Sequence, residues 1–188
     1  MQLSFKKIIT CYGFALLSAC LASPTASAEV FLAKDEAIEL AFGADTEIHE
    51  QTHILSQQQR EEIEHNAYTR LSSNLFHFYE GRRNGETIGY AVIDSRIMRS
   101  HLAAFMVVLT PDQTVSKVVI LAFNEPTEYQ PTDSWLHQLE GKQPLEELIP
   151  GQGVPPIAGS TLSVNGLSDG VRVVRASLAI ALEGRDNQ

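Results

Sequence analysis

Asn84-Gly85 separates two runs rich in aromatic and β-branched residues, and this dipeptide constrains the fold more than any other part of the chain. Both positions of a type I′ two-residue hairpin loop need positive φ, which Asn and Gly tolerate, so the flanking runs are expected to pair antiparallel. The first run begins at Leu75-Phe76-His77-Phe78-Tyr79 and the second extends from Thr87 to Asp94. His101 to Leu109 and Val115 to Phe123 are two further apolar runs, joined through Thr110-Pro111-Asp112-Gln113. Together these predict an antiparallel meander of at least four strands. Helical spacing appears at Ala33 to Phe42, where Ala37, Ile38, Leu40 and Ala41 share a face. A polar helix follows Ser56, with Gln59 at the capping-box position, and another runs from Thr132 or Asp133 to Leu139. A last helix is expected to end near Leu182. The fold class implied is α+β: an antiparallel β-sheet flanked by helices, in one domain over residues 29–188.

Residues 1–28 read as a targeting segment. Lys6 and Lys7 precede an apolar stretch from Ile8 to Leu21, and Ala26-Ser27-Ala28 is a small-x-small cleavage site before Glu29. The stretch is broken by Thr10, Tyr12, Gly13 and Ser18 and is shorter than the ~20 residues of a spanning helix. A periplasmic, exported chain without a transmembrane segment after processing is therefore expected. Leu17-Ser18-Ala19-Cys20 also reads as a lipobox, which would make Cys20 a lipidated first residue, so both processing routes stay open. The only other cysteine is Cys11, so the chain from Glu29 on can form neither disulfides nor thiolate clusters nor a C-x-x-C-H haem site. Any redox role must come from an organic cofactor. The full chain carries a formal charge of −9, and loss of Lys6 and Lys7 takes it to −11. Such a balance argues against nucleic-acid binding and suits a soluble carrier that meets its partners transiently.

The segment Ile157-Ala158-Gly159-Ser160-Thr161-Leu162-Ser163 leads into the last helix. Gly159 lets the backbone come close to a ligand, and a helix start offers unpaired N–H groups and a partial positive charge. Three hydroxyls follow the glycine. Those residue types in that order describe an anion site at a helix N-terminus, and they equally describe an ordinary Ser/Thr cap.

Ala158-Gly159-Ser160-Thr161-Leu162-Ser163 resembles the S-G-A-T-x-[TS] flavinylation motif of the FMN-binding domain family. That family includes the periplasmic flavin subunits of the sodium-translocating NADH:quinone reductase and of the Rnf electron-transport complex. Upstream, Asn84-Gly85-Glu86-Thr87-Ile88-Gly89-Tyr90-Ala91 is similar to the family's d-G-k-v-v-G-Y-a hairpin. Asn124-Glu125-Pro126-Thr127-Glu128-Tyr129 resembles the loop in which many members have E-T-P-G, and Trp135 to Lys142 resembles the W-h-x-Q-F-x-G-k helix after it. The resemblance spans residues 75–182. It implies an electron carrier with FMN joined to Thr161 by a phosphoester, placed there by a flavin transferase. It further implies redox partner proteins at the cytoplasmic membrane and a cofactor site of Gly159, Ser160, Thr161, Leu162, Ser163 and Glu125. Trp135 and Tyr129 are candidates to pack on the isoalloxazine ring. Ala158, Ser160 and Pro155 depart from the usual Ser/Thr, Ala and Asp. These departures leave open a non-redox binding module of the same fold, and make Ser160 an alternative acceptor.

A rival from another class is the H-E-x-x-H match His49-Glu50-Gln51-Thr52-His53. On a helix the two histidines would share a face and bind zinc, with Glu50 as general base. Glu47 to Leu55 is ambiguous between helix and strand and has no strong helical apolar stripe. No metzincin H-x-x-G-x-x-H continuation follows His53, and a third ligand from Glu61, Glu62 or Glu64 would sit close on the short polar helix. Alternation instead puts Glu47, His49, Gln51 and His53 on one face of a strand, which is expected to be solvated. The remaining histidines, His65, His77, His101 and His137, are scattered and are expected to be structural or exposed.

Overall fold

The computed structural model describes residues 29–30 and 32–186. The expected leader and Cys20 lie outside the described residues. Strands β2 (Glu47–Ile54), β3 (Leu75–Arg83), β4 (Glu86–Ile97), β5 (Leu102–Leu109) and β6 (Val115–Phe123) form an antiparallel meander. A two-residue strand β1 (Glu29–Val30) pairs with β6, so the order across the sheet is β1-β6-β5-β4-β3-β2. The helices are α1 (Lys34–Phe42), α2 (Gln57–Ala67), the short α3 (Asp133–Leu136) and α4 (Thr161–Asp186). This is an α+β fold. No helix among the described residues is long and apolar enough to cross a membrane.

Local chemistry accounts for the element boundaries. Asn84 and Gly85 turn the β3–β4 hairpin at φ +54° and +82°. The Ser56 hydroxyl accepts from the Gln59 N–H at 3.2 Å while the Gln59 side chain accepts from the Ser56 N–H at 2.9 Å, closing the expected capping box of α2. The segment Glu47–Leu55, ambiguous in the sequence, forms β2. It pairs with β3 from Glu47↔Arg82 to Ile54↔Leu75.

α4 crosses one face of the sheet and holds most of the core. Val164, Leu167, Val171, Val174, Leu178 and Ala181, spaced alternately by three and four, are all buried. They meet Phe76, Phe78, Val92, Phe105 and Val107 from the sheet, and Ile63 and Ala67 from α2. Gly170 makes this approach close, because a Cβ there would stand 2.2 Å from Phe105 Cζ. Arg172, buried in α4, donates to the carbonyls of Ala67 and Leu148 at 2.9 and 3.4 Å and pairs with Asp169. A guanidinium at the carbonyl end of α2 also matches the negative end of that helix. On the opposite face of the sheet α1 packs through Ala37, Ile38 and Phe42 over Tyr79, Ala91, Met106, Val108 and Leu121. Gly81 leaves room there for the Phe42 ring, 2.6 Å from where a Cβ would sit.

Candidate functional site

The helix that carries the flavinylation-like motif begins where the chain turns at Gly159, which has φ +89°. Nothing lies within 4 Å of a Cβ built at Gly159, so the turn faces open space. Ser160 is the residue before the helix. Its carbonyl accepts the first i to i+4 bond, from the Val164 N–H at 3.0 Å. The N–H groups of Thr161, Leu162 and Ser163 therefore have no intrahelical acceptor. The positive end of a 26-residue dipole stands behind them.

The three hydroxyls have different surroundings. Ser160 is buried, and its hydroxyl donates to the Glu128 carbonyl at 3.2 Å, tying the helix start to the 124–129 loop. Ser163 is buried on the sheet side of α4 in a seam with Met98, Phe105, Phe123 and Leu167 that has no room for a water. Its hydroxyl has no partner among the described residues. Thr161 alone is exposed, with its hydroxyl donating back to the Ile157 carbonyl at 3.1 Å. Leu162 beside it is exposed as well. Thr161 and Leu162 thus face solvent, whereas Ser163 points away from any group bound at the helix start.

Glu125 builds the other wall. Its buried carboxylate accepts the backbone N–H groups of Arg99, Ser100 and His101 at 3.0, 2.5 and 2.7 Å. It is also 3.3 Å from His101 Nδ1. Burial alone would raise this carboxyl, but the N–H donors of Ser100 and His101, with the His101 ring and the Arg99 N–H, hold it down to about 2. The carboxylate is saturated by the loop it binds. What Glu125 brings to the site is the position of the β4–β5 turn. That turn places the Arg99 guanidinium 4.0 Å from the centre of the Tyr129 ring, and Tyr129 follows Glu128 in the chain, whose carbonyl holds Ser160. Three segments far apart in sequence thus meet at one corner: residues 97–102, 124–129 and 157–163. Arg99 is the functional candidate that the sequence does not single out, since a lone arginine in a turn carries no local signal.

Trp135 does not line this corner. It is buried in the core, and its indole N–H donates to the Pro155 carbonyl at 2.7 Å, anchoring the connector that leads to Gly159. Tyr129 is half-buried and already stacked under Arg99.

His49 and His53 lie on β2, where residues four apart are ~13 Å from one another along the strand, so the shared helical face of a zinc motif is not formed. Their face is also less solvated than alternation implies. His53 Cε1 lies 3.6 Å from where a Cβ at Gly184 of α4 would stand, and His53 Nε2 is buried. Among the described residues no three His, Cys, Asp or Glu side chains gather as a metal site. No family model, curated protein or solved structure matches the chain.

Proposed function

We propose that this chain is an exported electron-transfer flavoprotein carrying FMN as a phosphoester on Thr161. One observation supports the reading above the others: Thr161 is the only hydroxyl of its motif left in solvent, and it stands on the first turn of a long helix. The residues fit such a group. Gly159 leaves open space at the turn before Thr161, and the N–H groups of residues 161–163, which lack intrahelical acceptors, would serve a phosphate attached there. Ser160 fits poorly as acceptor, because its hydroxyl is buried and engaged by Glu128. When bound, the flavin supplies one- and two-electron transfer, a chemistry no side chain of this cysteine-free domain offers. The protein's own part is to tether the cofactor, hold its phosphate and leave it open to redox partners at the membrane.

The test is co-expression with a flavin transferase, followed by intact mass and by absorbance of the denatured protein. Absorbance near ~450 nm that survives denaturation, gained with one FMN in mass, is expected of the wild type and of Ser160→Ala, and is lost in Thr161→Ala. Denaturation-resistant flavin on Thr161→Ala refutes the assigned acceptor. A colourless wild type refutes the electron-carrier reading and leaves the non-redox module, to which the altered residues Ala158, Ser160 and Pro155 point.

A further inference from the structure

Of the arginines that are not exposed, Arg60, Arg82, Arg96 and Arg172 each pair with a carboxylate, at 2.9, 3.0, 3.0 and 2.5 Å. Arg175, half-buried on α4, is the exception and forms no ion pair among the described residues. Its Nε donates to the Gln113 carbonyl at 3.0 Å, which fixes the fork, and the two terminal nitrogens have no acceptor among the described residues. Burial pulls this guanidinium below the ordinary arginine value, and the charges of Glu146 and Asp112 restore it only in part. A charge withdrawn from water without a partner is costly to keep, so an uncompensated one lining a cleft points to a ligand.

The fold supplies that cleft. Arg172 holds the carbonyls of Ala67 and Leu148 against α4. One turn further on, Arg175 lines a polar cleft of about 290 Å³ between the end of α2 and residues 144–146. On the α2 side stand His65, Asn66 and Tyr68, whose side chains make no hydrogen bond among the described residues. Tyr68 caps α2 in the left-handed region at φ +55°, where Gly or Asn is usual, and is 62 % exposed. On the other side Leu145 gives half-buried apolar surface and Glu146 an exposed carboxylate. Asp112 is engaged by the hydroxyls of Thr110 and Thr114. A single guanidinium with Glu146 and Asp112 in its field suits one negative charge better than two, and its planar fork matches a carboxylate.

We propose that this cleft binds a small organic monocarboxylate. The terminal nitrogens of Arg175 take the carboxylate, the Asn66 amide and the Tyr68 hydroxyl donate beside it, and the Tyr68 ring and Leu145 cover its hydrocarbon part. The cleft lies at the small end of ligand pockets, which begin at about 300 Å³, and so suits a compact acid. It shares no residue with the corner that holds Thr161, so a colourless protein that binds the acid leaves the proposal intact.

The experiment is a titration of isotope-labelled protein with phenylacetate, followed through the backbone amides. Saturable shifts at Asn66, Tyr68 and Glu146 are expected, with none from 2-phenylethanol, the neutral analogue, at the same concentration. Inorganic phosphate should bind at least about tenfold more weakly. Arg175→Gln should weaken phenylacetate at least about tenfold, and Glu146→Gln, which removes an opposing charge, should tighten it about threefold. Tyr68→Gly relieves the left-handed backbone, so it should weaken binding without lowering the melting midpoint. Absence of saturable shifts overturns the proposal, as do phosphate binding as tight as phenylacetate or equal affinity in a folded Arg175→Gln. If Arg175→Gln does not fold, Glu146→Gln decides: unchanged or weaker binding makes Glu146 the partner of Arg175 and overturns the proposal.

Discussion

Replacing Glu125 by glutamine keeps the shape of the side chain and removes the charge around which the β4–β5 turn is folded. In the unfolded chain this carboxyl titrates near 4.5, and in the fold it is held down to about 2. The native state therefore resists protonation that the unfolded state accepts, and stability falls as pH drops from 4.5 toward 2. Above 4.5 both states are ionised and the stabilisation is present in full. The difference of about 2.5 units corresponds to about 3 kcal/mol at 1.36 kcal/mol per unit. Glutamine cannot titrate, and its amide would direct N–H donors at a site already supplied with three. The stability of wild type minus Glu125→Gln should thus be about 3 kcal/mol at neutral pH and shrink to less than about 1 kcal/mol near pH 2. Urea unfolding of both proteins at several pH values between 2 and 7 measures this difference. Glu50, Glu64, Glu80 and Asp112, also held below their ordinary values, titrate in both proteins and cancel. A difference that stays constant over that pH range, or one under about 1 kcal/mol at pH 7, would refute the account of Glu125 as the charge that organises the corner.

Three further outcomes follow from packing and from the leader. Gly170→Ala puts a methyl 2.2 Å from the Phe105 ring and should destabilise by ~1–3 kcal/mol despite the better helix propensity of alanine. At Gly184 the nearest atom is His53 Cε1 at 3.6 Å, so Gly184→Ala should stabilise by up to ~1 kcal/mol, and melting curves that moved the same way for both would show that α4 sits farther from the sheet. Intact mass of exported protein is expected to begin at Glu29, and labelled acyl chains that appear on the wild type but not on Cys20→Ala would assign the lipoprotein route instead.

Local features were readable wherever a few neighbouring residues settle the backbone. Asn84-Gly85 specifies its turn through φ alone, and Ser56 with Gln59 closes a helix start within four residues. The apolar runs of β5 and β6, rich in β-branched residues, and the three-four spacing in α4 carry the α+β class. The segment Glu47–Leu55 was unreadable because its polar alternation satisfies a half-exposed strand and interrupts a helical stripe without excluding one. Pairing with β3 decides the matter, by supplying backbone partners that the segment lacks alone.

At the candidate site the division falls between residue identity and environment. Gly159 and Thr161 stand out in the chain because a glycine turn before a hydroxyl at a helix start is a contiguous pattern. Which hydroxyl meets solvent depends on how α4 rolls against the sheet: Ser163 faces the core, Ser160 is held by Glu128, and Thr161 is left outside. The bond from Arg99 to Glu125 joins residues 26 apart, and that from Ser160 to Glu128 joins residues 32 apart. No short window of sequence contains both partners. The sequence alone determined the β3–β4 turn, the cap of α2 and the run of hydroxyls after Gly159, since these depend on backbone preference and side-chain type. The tertiary structure decided which of them are exposed, charged and neighbours, since burial and long-range hydrogen bonds exist only once the sheet and α4 have packed.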